Sequence, residues 1–465
     1  LARARDAHHS TTDYDHVIHG RSIVPQGARW RQIETGAVLS SAAFSEKNRH
    51  MTENRWTPEL LAELRGQMDP LADRTVTAIY ESGETAHVNK MLSTLISGMD
   101  RPPSELPPVV RDYLEQSATL PTWLDPAKVL QGETLFGEWG IGACTILACA
   151  SLPECYLMKN GIHVLAMTQR LQQHAQRRVL ETAQMIMAVM FPRGLSPNGV
   201  GVRTAQKVRL MHAAMRFLIL HPGTPPPAPP SSLADVMQHE EWRPEFGQPI
   251  NQEDLLFTLM TFSHIGVRSL DRLGANLTSD QKDAYIHCWN IAGFIMGIRE
   301  DVLPADHVEA ETLFELIKAQ QGGGTPEAQQ MQASLLAFME NLMPHGPFKR
   351  LPVYMTRKFI GDDTADMLGV KRQPWQDRFL PAILITIWRL IDKDLSRHYK
   401  KSSHLQFGSA WIHDLLMAEI GKLPNAWNKQ LFGLPTTLRA DLPPDWDHPP
   451  AKAPSVLAND LVRQL

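Results

Sequence analysis

Three side chains that could do chemistry stand in two apolar segments with the period of a helix. Arg178 and Thr182 are four residues apart, so a helix would stack them on one face. His212 follows in the apolar phrase Val208-Arg-Leu-Met-His-Ala-Ala214. Burying an arginine without a partner costs several kcal/mol, so an anionic group should face Arg178. Since haem iron needs only one proximal imidazole, a flat iron cofactor would explain all three residues.

A structural interpretation of the same residues also stays open. Arg178 could pair within the core with an acid such as Glu138 or Glu154, and His212 could be a hydrogen-bonded core histidine. His174, on the helix face of Arg178, is a weaker candidate ligand. Spacing alone therefore does not decide between a core network and a cofactor site.

The helices that must position these residues extend over most of the chain. Apolar residues recur at helical spacing and strand patterns are nearly absent, which predicts an all-α fold, a single large helical domain. The predicted organisation is a polar arm (1–50), a helical domain (51–425) with a proline-rich loop excursion (221–250), and an extended tail (426–465). Helices are predicted at Asp73–Ser82, Val88–Ser97, Leu130–Leu157, Gly161–Met190, Thr204–Leu220, Asn251–Leu273, Asp280–Ile298, Val308–Gln321, Pro326–Leu342, Asp363–Leu368, Pro381–Tyr399 and Ala410–Ile420.

The bulk composition excludes several classes of function. The chain has 465 residues, 43% of them hydrophobic, with a formal charge of −4, so it lacks the basic surface of a nucleic-acid-binding protein. The apolar run Phe379–Ile391 contains Arg389 and falls short of the roughly 20 residues of a membrane span. The four cysteines show no zinc-ligand spacing. Because the chain starts at Leu1, an export signal could lie out of view, and a secreted, periplasmic or cytoplasmic location all stay open.

Two other motifs have a chemical interpretation beside a structural one. Gly293 and Gly297 would let either another helix or a planar cofactor approach closely. The acids of Glu133–Glu138 could belong to a carboxylate-bridged di-iron site, but such a site needs paired Glu-x-x-His motifs, which the sequence lacks.

An ordered set of phrases resembles the rubber-oxygenase (latex clearing protein) catalytic-domain family. The resemblance extends from about residue 55 to about residue 370. The phrases are Leu120-Pro-Thr-Trp-Leu-Asp125 followed by Gly132, Arg178-Val-Leu-Glu-Thr182-Ala-Gln184, Val208-Arg-Leu-Met-His212-Ala-Ala-Met-Arg216, Asn251-Gln-Glu-Asp-Leu255 with Phe262-Ser263, Trp289 to Gly297, and Arg357-Lys-Phe-Ile-Gly361 with Ala365-Asp-Met-Leu-Gly369.

The resemblance implies a globin-like core around haem b, with His212 as the proximal iron ligand and Arg178 and Thr182 beside the haem. It further implies an oxygenase that uses dioxygen on an apolar unsaturated substrate. Cis-1,4-polyisoprene or a related isoprenoid is the expected substrate, small or polymeric, and no nucleic-acid partner is expected. The oligomeric state stays open. The alternatives are a non-catalytic haem-binding sensor or carrier, and a structural all-α protein without a cofactor.

The chain departs from the family pattern at the catalytic base. Polymer-cleaving members are expected to offer a carboxylate near the haem, yet Ile162 and His163 stand where it would fall, and no acid lies between Lys159 and Arg178. Glu154 is the candidate base from the preceding segment. Lys90 is the candidate for the distal lysine of some members.

Overall fold

Every regular element in the described part of the chain is a helix. The computed structural model describes residues 55–84, 87, 106–138, 145–167, 171–221, 242–343, 347–372 and 374. In chain order the α-helices are α1 (Pro58–Arg65), α2 (Pro70–Ser82), α3 (Pro108–Gln116), α4 (Pro126–Glu138), α5 (Leu152–Tyr156), α6 (Ile162–Met167), α7 (Leu171–Met190), α8 (Val200–Leu220), α9 (Gln252–Phe262), α10 (His264–Leu273), α11 (Ser279–Ile295), α12 (His307–Gln321), α13 (Pro326–Leu342), α14 (Leu351–Ile360) and α15 (Asp362–Met367). A π-helix, Leu147–Ser151, precedes α5. The all-α prediction is confirmed.

Several helices begin where the sequence supplies a capping residue. The hydroxyl of Thr57 accepts a hydrogen bond from the backbone N–H of Leu60, and Pro58 occupies the first helical position of α1. At α11, Thr278 and Gln281 form a reciprocal capping box. Such side chains satisfy backbone donors that would otherwise lack partners at a helix start. These starts are therefore encoded locally.

Other predicted boundaries differ from the structure. The predicted helix Asn251–Leu273 is two helices, broken at Ser263, whose hydroxyl donates to the carbonyl of Leu259. The predicted block Leu130–Leu157 is likewise interrupted, by the π-helix. Pro108 begins α3, because proline is well suited to the first helical position. Helix α14 was not predicted.

Some predictions concern residues outside the described ranges. These are the helices Val88–Ser97, Pro381–Tyr399 and Ala410–Ile420, the arm and the tail, and most of the proline-rich excursion. The domain boundaries therefore stay predictions. Among the described helices, none combines the length and the apolar character needed to cross a bilayer.

Helix α8 contributes buried residues to two hydrophobic clusters. Its residues Val202, Ala205 and Val208 pack into the larger cluster, which includes α4, α7, α9 and α11. Its residues Leu210, Ala213 and Ala214 pack against α2 and α3 in the smaller cluster. The helix that carries His212 is therefore central to the fold.

Two ion pairs fix α8 against α2. Asp69 accepts hydrogen bonds from Nε and Nη2 of Arg209, at 2.5 and 2.8 Å. Asp73 accepts from Nε of Arg216 at 2.7 Å, and the Arg216 side chain is buried. The two acids are one turn apart on α2 and the two arginines two turns apart on α8, with His212 between them. The pairs therefore set the rotation of α8 about its axis.

Close packing accounts for Gly293 and Gly297. A Cβ atom at Gly293 would lie 2.6 Å from Cδ2 of Leu259 in α9. Gly297 has φ +90°, and a Cβ there would lie 2.5 Å from Oδ2 of Asp69. At both glycines the structure therefore shows the close approach of other protein groups, which is the packing interpretation given above.

The packing of α4 on α11 depends on Gly132, and its substitution is the first prediction. A Cβ at this position would lie 2.5 Å from Sγ of Cys288 and 2.9 Å from the carbonyl oxygen of Ala284. Gly132→Ala is therefore expected to destabilise the protein by about 1–3 kcal/mol, as overpacking does. The measurement is urea denaturation.

Gly137, on the same helix, provides the matched control. Nothing lies within 4 Å of a Cβ placed there. Gly137→Ala should therefore gain the ordinary helix-propensity benefit of roughly 0.5–1 kcal/mol. Similar effects of the two substitutions would contradict the close contact.

Candidate functional site

Helices α7 and α8 place the three sequence-predicted site residues at similar distances from the turn that joins the two helices. The two helices pack against each other across the turn that joins Met190 to Val200. Arg178 lies twelve residues before Met190 and His212 twelve residues after Val200, so both positions are roughly 18 Å from the turn at 1.5 Å per residue. Thr182 is one helical turn nearer to it. The hairpin thus juxtaposes these positions, although they are far apart in sequence.

The turn of this hairpin is held in a fixed conformation. The backbone N–H groups of Gly201 and Val202 both donate to the carbonyl of Gly194, at 3.0 and 3.2 Å. Arg193 has φ 67°, and its N–H donates to Oε1 of Glu133 in α4 at 2.9 Å. Because the turn is tied to α4, the separation of α7 and α8 is set by the fold.

Thr182 and His212 are both half-buried. A side chain that must meet a ligand needs such partial access, whereas a residue with a purely structural role in the core is usually sealed. For Arg178 the structure describes the backbone position in α7. The same holds for His174.

Glu154, the candidate base, is occupied by two cations. Its side chain is fully buried, with Oε1 accepting from Nη2 of Arg268 at 2.8 Å and Oε2 from Nζ of Lys318 at 2.9 Å. A carboxylate with both oxygens held in this way has no free oxygen to accept a proton from a substrate. Its charge is already balanced by two cations, so it does not need Arg178 as a partner. The structure therefore does not support Glu154 as the base. Lys90 lies outside the described residues.

The neighbouring positions do not supply a base either. Ile162 is fully buried, and the ring of His163 stacks on Phe246 with 4.1 Å between ring centroids. Glu138, the other acid considered as a partner for Arg178, is exposed at the end of α4. The structure therefore supports neither Glu154 nor Glu138, the two acids considered from the sequence, as the catalytic base.

Lys207 is a buried charge that the sequence interpretation missed. The residue is 2% exposed, and its Nζ makes no hydrogen bond. Burial, with Arg203 nearby, lowers its pKa to about 8. Lys207 lies roughly 140° around α8 from His212 at 3.6 residues per turn, so it does not share the face of the candidate ligand. In the sequence, Lys207 follows Arg203 by four residues, and this spacing could have indicated two cations on one face of a helix.

The phrase Leu120–Asp125 docks on α11 through His287. The backbone N–H of Asp125 donates to Nε2 of His287 at 2.9 Å, and Trp123 meets the imidazole edge-on. An accepting Nε2 requires a neutral ring, and burial lowers the pKa of His287 to about 4 from 6.5. This contact fixes the start of α4.

A pH dependence of stability follows from His287. Between about pH 6.5 and 4 the unfolded chain protonates this histidine while the folded protein does not, so stability should fall with falling pH by up to about 1.4 kcal/mol per unit. His287→Gln can still accept the Asp125 hydrogen bond and should reduce that slope. Urea midpoints at several pH values provide the measurement.

A second buried histidine serves as an internal reference for this prediction. Burial lowers the pKa of His264 to about 3, and this residue contributes a slope of the same sign in both proteins. The difference between the two slopes therefore reports His287 alone. Identical slopes would show that His287 is not held neutral.

Taken together, these features define a helical protein in which the α7–α8 hairpin carries the half-buried imidazole of His212. Among the described residues, no three His, Cys, Asp or Glu side chains cluster as a multi-ligand metal site would require. Residues 139–390 match the family described as "ER-bound oxygenase mpaB/B'/Rubber oxygenase, catalytic domain". Since this match covers more than half of the chain, the protein belongs to that family.

Two relatives agree with this assignment. The chain is 23% identical over 384 residues to the rubber oxygenase of Streptomyces sp. (strain K30), covering 78% of this chain and 87% of that protein. It also resembles the solved structure of latex clearing protein LCP in the closed state, with a TM-score of 0.59 at 20% identity, covering 76% of this chain and 91% of that one. The structural likeness shows a shared fold. The predicted family membership is confirmed.

Proposed function

We propose that this member of an oxygenase family is a haem b-dependent dioxygenase. Its substrate would be an apolar isoprenoid, cis-1,4-polyisoprene or a shorter relative, cleaved at a carbon–carbon double bond. The observation that carries the proposal is the α7–α8 hairpin, in which Arg178, Thr182 and His212 belong to two packed helices and lie at similar distances from the turn between them. The rubber oxygenase named among the relatives supports the substrate class.

The donor set fits a haem better than a bare metal ion. A porphyrin brings four nitrogen ligands of its own, so one imidazole from the protein suffices, and His212 would supply it. When bound, the haem would supply the dioxygen chemistry that amino-acid side chains lack. The Asp69–Arg209 and Asp73–Arg216 pairs fix the orientation of α8, the helix from which His212 would bind the haem.

Arg178 and Thr182 would act from the opposite helix. An arginine stays protonated at any ordinary pH, so Arg178 would attract a carboxylate such as a haem propionate or stabilise negative charge that develops in the reaction. The hydroxyl of Thr182 can both donate and accept a hydrogen bond. One turn of helix separates the two, so they would present a cation and a hydroxyl to the same space.

An absorption spectrum and an oxygen electrode test the proposal. The purified protein should show a Soret band that shifts on addition of dithionite, and it should consume dioxygen with polyisoprene latex or short isoprenoids, leaving aldehyde and ketone ends. Absence of a Soret band would favour the structural all-α protein. A Soret band without oxygen consumption would favour the sensor or carrier.

A further inference from the structure

A small cavity lies between α4, the π-helix, α7, α10 and α11. Most of its wall is apolar and includes the buried side chains of Phe136, Leu147, Ile186 and Leu270. The space that a water-sized sphere can enter is about 20 Å³. None of the functional roles described above uses this cavity.

The wall of the cavity contains a buried hydrogen-bond donor, the indole N–H of Trp289. This residue of α11 is fully buried, and its Nε1–H makes no hydrogen bond to the described residues. The indole stacks on Phe262 with 5.3 Å between ring centroids, which holds the ring in one orientation. Leaving such a donor unpaired away from water is costly. The N–H therefore indicates a polar occupant of the cavity.

Two hydroxyl groups add to the polar part of the wall. Ser151 belongs to the π-helix, and Tyr285 lies one turn before Trp289 on α11, and both residues are buried. Burial raises the pKa of Tyr285 to about 12, so the phenol keeps its proton and can donate as well as accept a hydrogen bond. The polar groups of the wall thus come from two different helices.

The size and the polarity of the cavity together select a single water molecule. A buried water needs roughly 10–15 Å³ measured in this way and makes about two to four hydrogen bonds. A space of about 20 Å³ holds one water, and Ser151, Tyr285 and Trp289 offer it three partners. An apolar gas or a methyl group of a substrate would leave the Trp289 N–H unpaired.

We propose that the cavity binds one water molecule, which accepts a hydrogen bond from Nε1–H of Trp289 and donates to the hydroxyls of Ser151 and Tyr285. The water links the π-helix to α11 in a region where the surrounding contacts are apolar. Ile186, in the same wall, comes one turn after Thr182 on α7, so the bridge lies next to the helix face of the candidate site residues. The inference goes beyond the proposed function and does not depend on haem.

A crystal structure of the purified protein tests the water directly. We expect one ordered water at hydrogen-bond distance from Nε1 of Trp289 and from both hydroxyls. In solution, the indole N–H resonance of Trp289, assigned by its loss in Trp289→Phe, should show a nuclear Overhauser effect to a long-lived water. An ordered indole with no water at Nε1, or xenon density in the cavity under xenon pressure, would overturn the proposal.

Removal of the two hydroxyls should release the water and leave the apolar wall in place. Ser151→Ala and Tyr285→Phe each delete one oxygen atom, so the double variant should lose both the water density and the Overhauser effect. Either single variant should lower the occupancy of the water and gives a second test if the double variant folds poorly. A water that stays at full occupancy in all three variants contradicts the bridge.

Ser269 provides the matched control. It is a fully buried serine of α10 that does not line the cavity, so Ser269→Ala should leave the water density and the Overhauser effect unchanged. Loss of the water in this variant as well would show that its binding does not depend on the two hydroxyls, and the proposal would fail. Because none of these measurements uses turnover, that failure would not affect the proposed oxygenase function.

Discussion

His212→Ala is expected to strip the protein of haem and to abolish oxygen consumption. The iron would lose its imidazole ligand. Since removing only a hydrogen-bond partner of a metal ligand costs about 10–100-fold in metal affinity, removing the ligand itself should lower the affinity for haem by at least about 100-fold. The measurements are the Soret absorbance per protein chain and the haem content by pyridine haemochromogen. Free imidazole added to the variant should restore part of the Soret band, which a merely structural role would not do.

Two other histidines serve as controls for this experiment. His221 is the C-cap of α8 and is exposed, stacked on Phe217, so His221→Ala should keep full haem occupancy. His174→Ala tests the weaker candidate on α7 and should also keep haem. If His212→Ala retains full occupancy while His174→Ala loses it, the ligand assignment is wrong.

Asp69→Ala is expected to cost about 3–5 kcal/mol of unfolding free energy, the loss typical of removing one partner of a buried ion pair. Asp69 is 3% exposed and accepts two hydrogen bonds from Arg209. Its removal would leave that guanidinium buried and also remove the side-chain cap at the start of α2. Urea denaturation followed by circular dichroism measures the loss.

An exposed ion pair provides the contrast. Asp301 pairs with Arg299 at 2.5 Å, but its side chain is 63% exposed. Water replaces such a partner readily, so Asp301→Ala should cost less than about 1 kcal/mol. Comparable losses for the two variants would show that burial of the Asp69–Arg209 pair adds nothing to its contribution.

The helices around the candidate site were predictable because their signals are local. The i, i+4 stacking of Arg178 and Thr182 depends only on helical geometry, and a capping threonine such as Thr325 acts on the residues that directly follow it. The resemblance to the oxygenase family added the assignment of His212. Such information lies within short segments of the sequence.

The interactions that position the site were not predictable in the same way. Asp69 and Arg209 are 140 residues apart, and nothing in either segment indicates the pairing. Glu154 is an isolated acid in sequence, and only the fold reveals that Arg268 and Lys318 hold it. Tertiary contacts, absent from any local pattern, decided these two features.

Because α8 contributes to both hydrophobic clusters, opening its central part would disrupt both clusters and break its ion pairs to Asp69 and Asp73. Its central amides, around Leu210 and Ala214, should therefore exchange with deuterated solvent only when the whole domain unfolds. Loss of a bound cofactor through opening of this helix would then occur no faster than global unfolding.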